Sequence, residues 1–343
     1  MSERGLQQKK EAKKEEQKIL IIIQNDEANF DLVRIDSLYD LMKKEDLRNK
    51  RKESYIQTQE YNYLRHIEPY FKNSIVVRLT YEHINDFRNH QLEKELSNNT
   101  INKQMILLKK ILDMAVQKKY MTDNPCTHLK KLDFEKKKMK FWTVEQFMEF
   151  KKIFESNEEN FLLFFTVAFF TGMRSGELLG LTWGDIDFYR SEIDINKTLV
   201  NIKGKQLYNP PKTAAGRRRV SVNRKLIEDL KNWKEAQYDI LSKEMKIDDL
   251  DKIQVFQHKA RLLSKDNVRK KYEVILRRNP SIDKIRIHDF RHSHVALLIN
   301  NNEDPYVIKE RIGHASINTI YDLYGHLYPS KQLETADRLD NLY

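Results

Sequence analysis

Between positions 174 and 324 the sequence carries a scattered set of side chains whose types belong together. Arg174 lies in T-G-M-R-S-G-E-L-L-G-L and Lys212 in N-P-P-K-T-A-A-G-R-R-R-V. His288 and Arg291 form H-D-F-R, one helical turn apart, His314 lies in I-G-H-A-S, and Tyr324 lies in Y-D-L-Y-G-H. These are the groups that breaking a phosphodiester requires: a nucleophile, charge stabilisation on the non-bridging oxygens and a proton for the leaving oxygen. A phenol, with an ordinary pKa near 10, becomes a nucleophile when its proton is taken, and the covalent phosphotyrosine conserves the bond energy for religation. Two guanidiniums can clamp a pentacoordinate phosphorane through bidentate hydrogen bonds. No Asp/Glu/His cluster has metal-ligand spacing, so the cations would stand in for a metal, and neither a metal nor another cofactor is expected. Taken singly, each residue has a plainer explanation. An Arg at a helix start is more often a surface group, a His three residues before an Arg is commonly a surface pair, and Tyr321, Tyr324 and Tyr328 could pack along one helix face.

The elements that must hold these groups are mostly helical. The residues from about Asp36 to 128 form an all-helical domain. In it Thr100 is a plausible N-cap for a helix on which Ile101, Met105, Leu108, Leu112 and Ala115 make one apolar stripe. Lys118 and Lys119 fall in its last turn and Asn124-Pro125 stops it. Another helix starts at Thr80, with Ile84 and Phe87 facing inward. Residues 130–140 hold six Lys against Asp133 and Glu135, a net charge of +4, and read as a basic linker. A fresh domain opens at Thr143, where Thr143-x-x-Gln146 has the pattern of a capping box. The run F-L-L-F-F-T-V-A-F-F over 161–170 predicts a buried helix ended by Gly172. Alternation of Ile193, Ile195, Leu199, Ile202, Val220 and Val222 with polar residues predicts a small antiparallel sheet. Helices follow around Leu226–Leu241, Ser264–Leu276, His288–Leu298 and Pro305–Ile312.

Composition narrows the classes. A length of 343 residues, 40% of them hydrophobic, suits two or three domains. Lys and Arg number 62 against 51 Asp and Glu, so the formal charge is +11 and the expected partner is a polyanion. The single Cys126 excludes a disulfide scaffold and fits a reducing cytosol. Ile19–Ile23 is the most apolar short run, far below the roughly 20 residues of a membrane span. No secretory h-region follows Met1, and a soluble cytoplasmic protein without a membrane partner is expected.

Together the motifs resemble the catalytic domain of the tyrosine recombinases, the phage integrase family. The resemblance runs from about Thr143 to Tyr328 and more loosely back to Asp36. Its most specific parts are T-G-M-R-S-G-E-L-L-G-L-T-W-G-D-I-D, H-D-F-R-H-S-H, and I-G-H-A-S followed by Y-G-H. The resemblance implies a mainly α fold with a small antiparallel β-sheet in the catalytic domain, arranged as a two-lobed C-shaped DNA clamp. It implies a site-specific recombinase that integrates and excises a mobile element through a 3′-phosphotyrosine. Arg174 and Arg291 match the phosphate-clamping arginines, and Lys212 the sheet lysine that protonates the leaving 5′-oxygen. His288 matches the general acid/base, and His314 the histidine that hydrogen-bonds the scissile phosphate. Tyr324 matches the nucleophile, with Gly325-His326 after it. Glu177 matches a supporting acid, while Asp289 and His292, which flank the pair, are expected either to back up the reacting groups or to be structural. Gly216 stands where many members have Ser in K-T-x-x-S-x-R, which leaves the register of that hairpin open.

The implied domains are a charged N-terminal helix over 1–35, similar to the last helix of an arm-binding domain, and a helical core-binding (SAM-like) domain over 36–129. A basic linker over 130–142, the catalytic domain over 143–330 and a tail over 331–343 available to dock on a neighbouring subunit follow. On the long helix Lys103, Lys109 and Lys110 are candidates to reach phosphates. Implied partners are double-stranded DNA, three further copies in a synaptic homotetramer, and accessory DNA-bending or excision-directing proteins. Two alternatives share parts of this pattern: a type IB topoisomerase, which relaxes one duplex, and a non-catalytic DNA-binding protein descended from a recombinase.

Overall fold

The computed structural model describes residues 33–72, 74–133, 139–202, 204–211 and 213–325. The charged N-terminal helix, Lys212, Tyr328 and the tail over 331–343 therefore lie outside the described residues. The chain divides between Lys136 and Lys137 into two units.

The described part of the first unit is helical. Helix α1 spans Ile35–Arg48 and α2 spans Glu53–Asn62, whose path continues through Tyr63–Ile67 and Glu68–Phe71. Helix α3 spans Tyr81–Glu93 behind a Thr80 cap, with Ile84 and Phe87 fully buried. The long helix, α4, spans Asn98–Gln117 and starts earlier than its apolar stripe implies. Its N-cap is Ser97, not Thr100: the Ser97 hydroxyl accepts from the Thr100 amide, which puts Thr100 inside the first turn. Lys118 is the C-cap, and Lys119 leaves the helix at φ 62°. Two of the lysines expected to reach outward are already paired, Lys110 with Asp46 at 2.6 Å and Lys109 with Asp113 at 3.2 Å, whereas Lys103 is exposed. The basic linker is not a free tether at its start. Asn102 exchanges two hydrogen bonds with the Leu132 backbone, at 2.8 and 2.9 Å.

In the second unit Trp142 is 1% exposed, and its indole donates to the Asp283 carbonyl at 2.7 Å, so core packing begins before Thr143. The expected capping box forms at Thr143 and starts α5, Val144–Lys151. Helix α6, Glu159–Thr171, is apolar almost all round because it is enclosed. Phe169 stacks on Phe147 at 4.1 Å, and Phe165 lies 5.1 Å from Phe290. Each such ring removed from water contributes roughly 1.5–3 kcal/mol. Gly172 ends α6 at φ 64°. A short helix α7, Ser175–Gly180, follows.

The alternating segment makes two small sheets rather than one. Strands β1 (Ile186–Asp187), β2 (Glu192–Ile195) and β5 (Arg218–Ser221) form an antiparallel sheet in the order β1-β2-β5. Strands β3 (Thr198–Ile202) and β4 (Lys205–Asn209) form a separate hairpin. The register pairs Ile193 with Val220 and Ile195 with Arg218, so Arg218 shares the buried face with Val220. The remaining helices are α8 (Arg224–Leu241), α9 (Lys265–Arg278), α10 (Asp289–Asn300), α11 (Pro305–Ile312) and α12 (Asn318–Tyr324). Among the described residues no helix is long and apolar enough to cross a membrane.

Candidate active site

Four ends of elements meet in the second unit: the turn after α6, the start of α7, the start of β5 and the C-terminus of α11. A helix C-terminus leaves carbonyls without intrahelical partners and carries the negative end of the helix dipole. In α11 these carbonyls collect guanidiniums. Arg218 Nε donates to the Arg311 carbonyl at 2.7 Å, Arg291 Nη2 to that of Ile312, and Arg174 Nη2 to that of Gly313 at 3.5 Å. Three arginines from three elements thus sit on three consecutive carbonyls, and His314 is the next residue. Gly313 turns the chain there at φ 65°, where a Cβ would lie 2.6 Å from the Ala215 carbonyl and 3.0 Å from Arg218 Cδ.

Glu177 holds two of these arginines. Its carboxylate accepts from Arg174 Nη1 at 2.8 Å and from the Arg174 amide at 2.9 Å, which caps α7. Arg218 reaches the same carboxylate through Nη1 at 3.3 Å and Nη2 at 3.1 Å. Glu177 is 4% exposed, and burial alone would raise its pKa. Arg218 first, then Arg174, outweigh that and hold the carboxyl below the usual range. Arg291 is 3% exposed and also donates to the Gly172 carbonyl at 2.8 Å. Burial, Arg174 and Arg218 push it down to about 9, so it remains a cation at neutral pH. Three guanidiniums against one carboxylate leave a pocket of net charge +2, a standing attraction for an anion.

The imidazoles line this pocket as neutral groups. His314 is pushed down to about 4 by burial and by Arg291, Arg174 and Arg218, and its Nδ1 is buried without a hydrogen-bond partner. His288 reaches solvent at the rim, and partial desolvation with Arg291 beside it lowers its pKa. Tyr324 is 1% exposed, and burial pushes its phenol up to about 12, against the pull of Arg291. Tyr321 is 51% exposed, so the two tyrosines do not share a packed face.

The fold therefore brings Arg174, Glu177, Arg291, His288, His314 and Tyr324 to one pocket, while Lys212 lies outside the described residues. Two further members were not expected. Arg218 is one; it fills the last position of K-T-x-x-S-x-R, and the strand period puts it on the face of Val220 and sends Arg217 and Arg219 to solvent. The other is His292, whose Nδ1 lies 2.5 Å from Tyr324 Oη. No pattern in the sequence marks that pairing, because it joins the first turns of α10 to the end of α12.

Both units have counterparts among known proteins. Residues 137–331 match the phage integrase family and residues 37–138 the phage integrase SAM-like domain. The chain belongs to the phage integrase family, the tyrosine recombinases, enzymes of site-specific DNA recombination. One of its relatives is the ICEBs1 integrase of Bacillus subtilis (strain 168), 44% identical over 291 residues that span 85% of this chain and 78% of the relative. The fold is that of the Tn1549 transposon integrase in complex with a circular intermediate DNA, with a TM-score of 0.73 at 17% identity, over 90% of this chain and 99% of that one. A lambda integrase tetramer bound to a Holliday junction gives a TM-score of 0.62 at 16% identity, over 83% of this chain and 79% of that one.

Proposed function

We propose that this protein integrates and excises a mobile element by cutting and rejoining duplex DNA through Tyr324, without a metal or nucleotide. The observation that carries this is the row of three guanidiniums on consecutive carbonyls at the end of α11 and its Gly313 cap, with His314 and the Tyr324 phenol in the same pocket. The scissile phosphate enters between Arg174 and Arg291, which stabilise charge as it builds on the non-bridging oxygens. The orphaned Nδ1 marks His314 as a ring with unused hydrogen-bonding capacity beside that phosphate. Tyr324 Oη attacks phosphorus, the bond to the 5′-oxygen breaks, and that oxygen takes a proton from Lys212, with His288 as acid/base at the rim. Glu177 orients Arg174.

Beside the pocket a recess lined by Arg217, Arg219, Lys309 and Arg311 suits the flanking phosphates of one strand. The helical unit over 36–129 grips the duplex as a core-binding domain, with the stretch over 130–142 as the connection. Four protomers hold two duplexes in synapsis, as the lambda integrase tetramer holds a Holliday junction. The tail over 331–343 docks on a neighbouring protomer, and accessory bending proteins set direction. The enzyme works in the cytoplasm, on nucleoid DNA.

A nicked half-site that releases the cut strand tests this. Wild-type protein, in EDTA, accumulates a protease-sensitive covalent adduct; Tyr324→Phe gives none, and Tyr321→Phe, altering an exposed ring, still gives it. Adducts surviving in Tyr324→Phe, or abolished by EDTA, overturn the assignment.

A further inference from the structure

The phenol of Tyr324 must lose a proton to attack, and the group touching its oxygen is His292. The Nδ1···Oη separation is 2.5 Å, the His292 side chain is 11% exposed, and Tyr324 is 1% exposed. On the far side of the ring, Nε2 faces Asp289 Oδ1 at 3.9 Å. Asp289 is itself fixed: Arg286 donates to it from Nε at 3.0 and 3.1 Å, from Nη2 at 2.7 Å, and from its amide at 2.8 Å. Phenol and imidazole are thus in hydrogen-bond contact, and the anchored carboxylate lies beyond the ring at charge-pair rather than hydrogen-bond distance, an order that resembles a hydroxyl nucleophile, its base and a third group behind the base.

We propose that His292 is the general base of strand cleavage, taking the Tyr324 proton on Nδ1, while the charge of Asp289 stabilises the imidazolium. This role rests on Tyr324 being the nucleophile. The Oη–H bond breaks as Oη–P forms, and the proton goes to Nδ1. The P–O5′ bond breaks, and its oxygen is protonated from the other side of the phosphate. On rejoining, the 5′-hydroxyl gives its proton back to the group that supplied it and attacks phosphorus, the Oη–P bond breaks, and the imidazolium returns its proton to Oη.

The surroundings fit a ring that is neutral before the reaction. Burial and His288 push His292 down to about 4, with Arg286 and Arg291 acting in the same direction and Asp289 opposing them. The other groups facing it are Tyr324 from α12 and His314 from the turn after α11. A neutral ring in the tautomer that carries its proton on Nε2, the nitrogen nearer Asp289, presents its Nδ1 lone pair to the phenol. Negative charge arriving on phosphate and Oη then favours the imidazolium. His288, whose ring centre is 5.6 Å from that of His292, remains free for the substrate side.

Substituting sulfur for the bridging 5′-oxygen separates the two proton transfers, because a thiolate leaves without protonation. The nicked half-site is therefore made in oxygen and sulfur forms. His292→Ala is expected to slow adduct formation by about 10²-fold or more on both forms, the ordinary scale of general base catalysis. Added imidazole should restore part of that rate. Lys212→Ala should be slow on oxygen only. His292→Gln, which keeps a hydrogen-bond acceptor but no base, should be as slow as His292→Ala and should still bind the half-site in a gel shift. Wild-type rates in His292→Gln, or rescue of His292→Ala by sulfur, overturn the proposal. A wild-type protein that forms no adduct, or an adduct not lost in Tyr324→Phe, overturns instead the assignment of the nucleophile.

Discussion

Replacing Arg218 with Met keeps most of the side-chain length and removes five donors from a nearly closed site. In the wild type those donors serve both Glu177 oxygens and the carbonyls of Arg311 and Gly216. Arg218 and Glu177 have side-chain exposures of 6% and 4%, so water replaces little of what is lost. Breaking a buried pair by removing one partner costs about 3–5 kcal/mol. Because Arg174 stays on the same carboxylate, the coupling between Arg218 and Glu177 should fall near the low end, about 3 kcal/mol. A double-mutant cycle of Arg218→Met, Glu177→Met and the pair measures it by urea unfolding. Trp142, Trp183 and Trp233 all lie in the core of the catalytic unit, so tryptophan fluorescence follows that unit alone. Glu177 has a lowered pKa, so its contribution is present above the ordinary carboxylate range and lost as pH falls through its folded value. Without Arg218, burial dominates, the titration moves upward, and Arg218→Met should lose stability earlier on acidification. Strand cleavage should fall about 10²-fold, the scale expected for displacing Arg174 by about 1 Å. Additivity of the two single changes within about 0.5 kcal/mol would refute the coupling.

Two other outcomes follow from the same geometry. Gly313→Ala puts a Cβ 2.6 Å from the Ala215 carbonyl at a φ of 65°, so stability should fall by more than the roughly 1–2 kcal/mol of left-handed strain, with cleavage abolished; an unchanged urea midpoint would contradict this. His294 is 2% exposed, donates from Nδ1 to the Phe169 carbonyl, accepts from Arg311 Nε, and is pushed down to about 3, first by burial. Its neutral form is the folded form, so the stability it brings is present above its ordinary pKa of 6.5 and lost as pH falls from there toward 3. His292 and His314, both near 4, act in the same direction. Unfolding free energy should therefore decline from pH 6.5 to 4.5, and His294→Gln should flatten that decline; an equal slope in the variant would count against it.

The sequence revealed most where a local rule decides the outcome. The Thr143-Gln146 cap and the enclosed helix before Gly172 depend on neighbours within a few residues and appear as expected. The alternating segment does form strands, but their division between two sheets rather than one is set by pairing the alternation does not encode. Thr100 misled because Ser97 offers a hydroxyl at the same spacing one turn earlier, and the polar residues between them suit a helix exposed on that side. The motifs singled out Arg174, Arg291, His288, His314 and Tyr324, which the fold brings to one pocket, but could not rank their neighbours. Arg218 closes the K-T-x-x-S-x-R pattern, but only strand register shows that it turns inward while Arg217 and Arg219 do not. His292 stands beside Arg291, and only the packing of α12 on α10 makes it the partner of a phenol 32 residues away.

The end of α11 has a consequence for how substitutions far from the phosphate should be read. Because Arg174, Arg218 and Arg291 hang from adjoining carbonyls at the end of one helix and its cap, any change that slides or tilts that helix displaces them as a group. Ile308 and Ile312 fix its seat in the small apolar cluster with Val295, Ile299, Ile320 and Tyr324. A cavity opened there would silence strand cutting while leaving every reacting group in the chain, and would do so abruptly rather than by degrees.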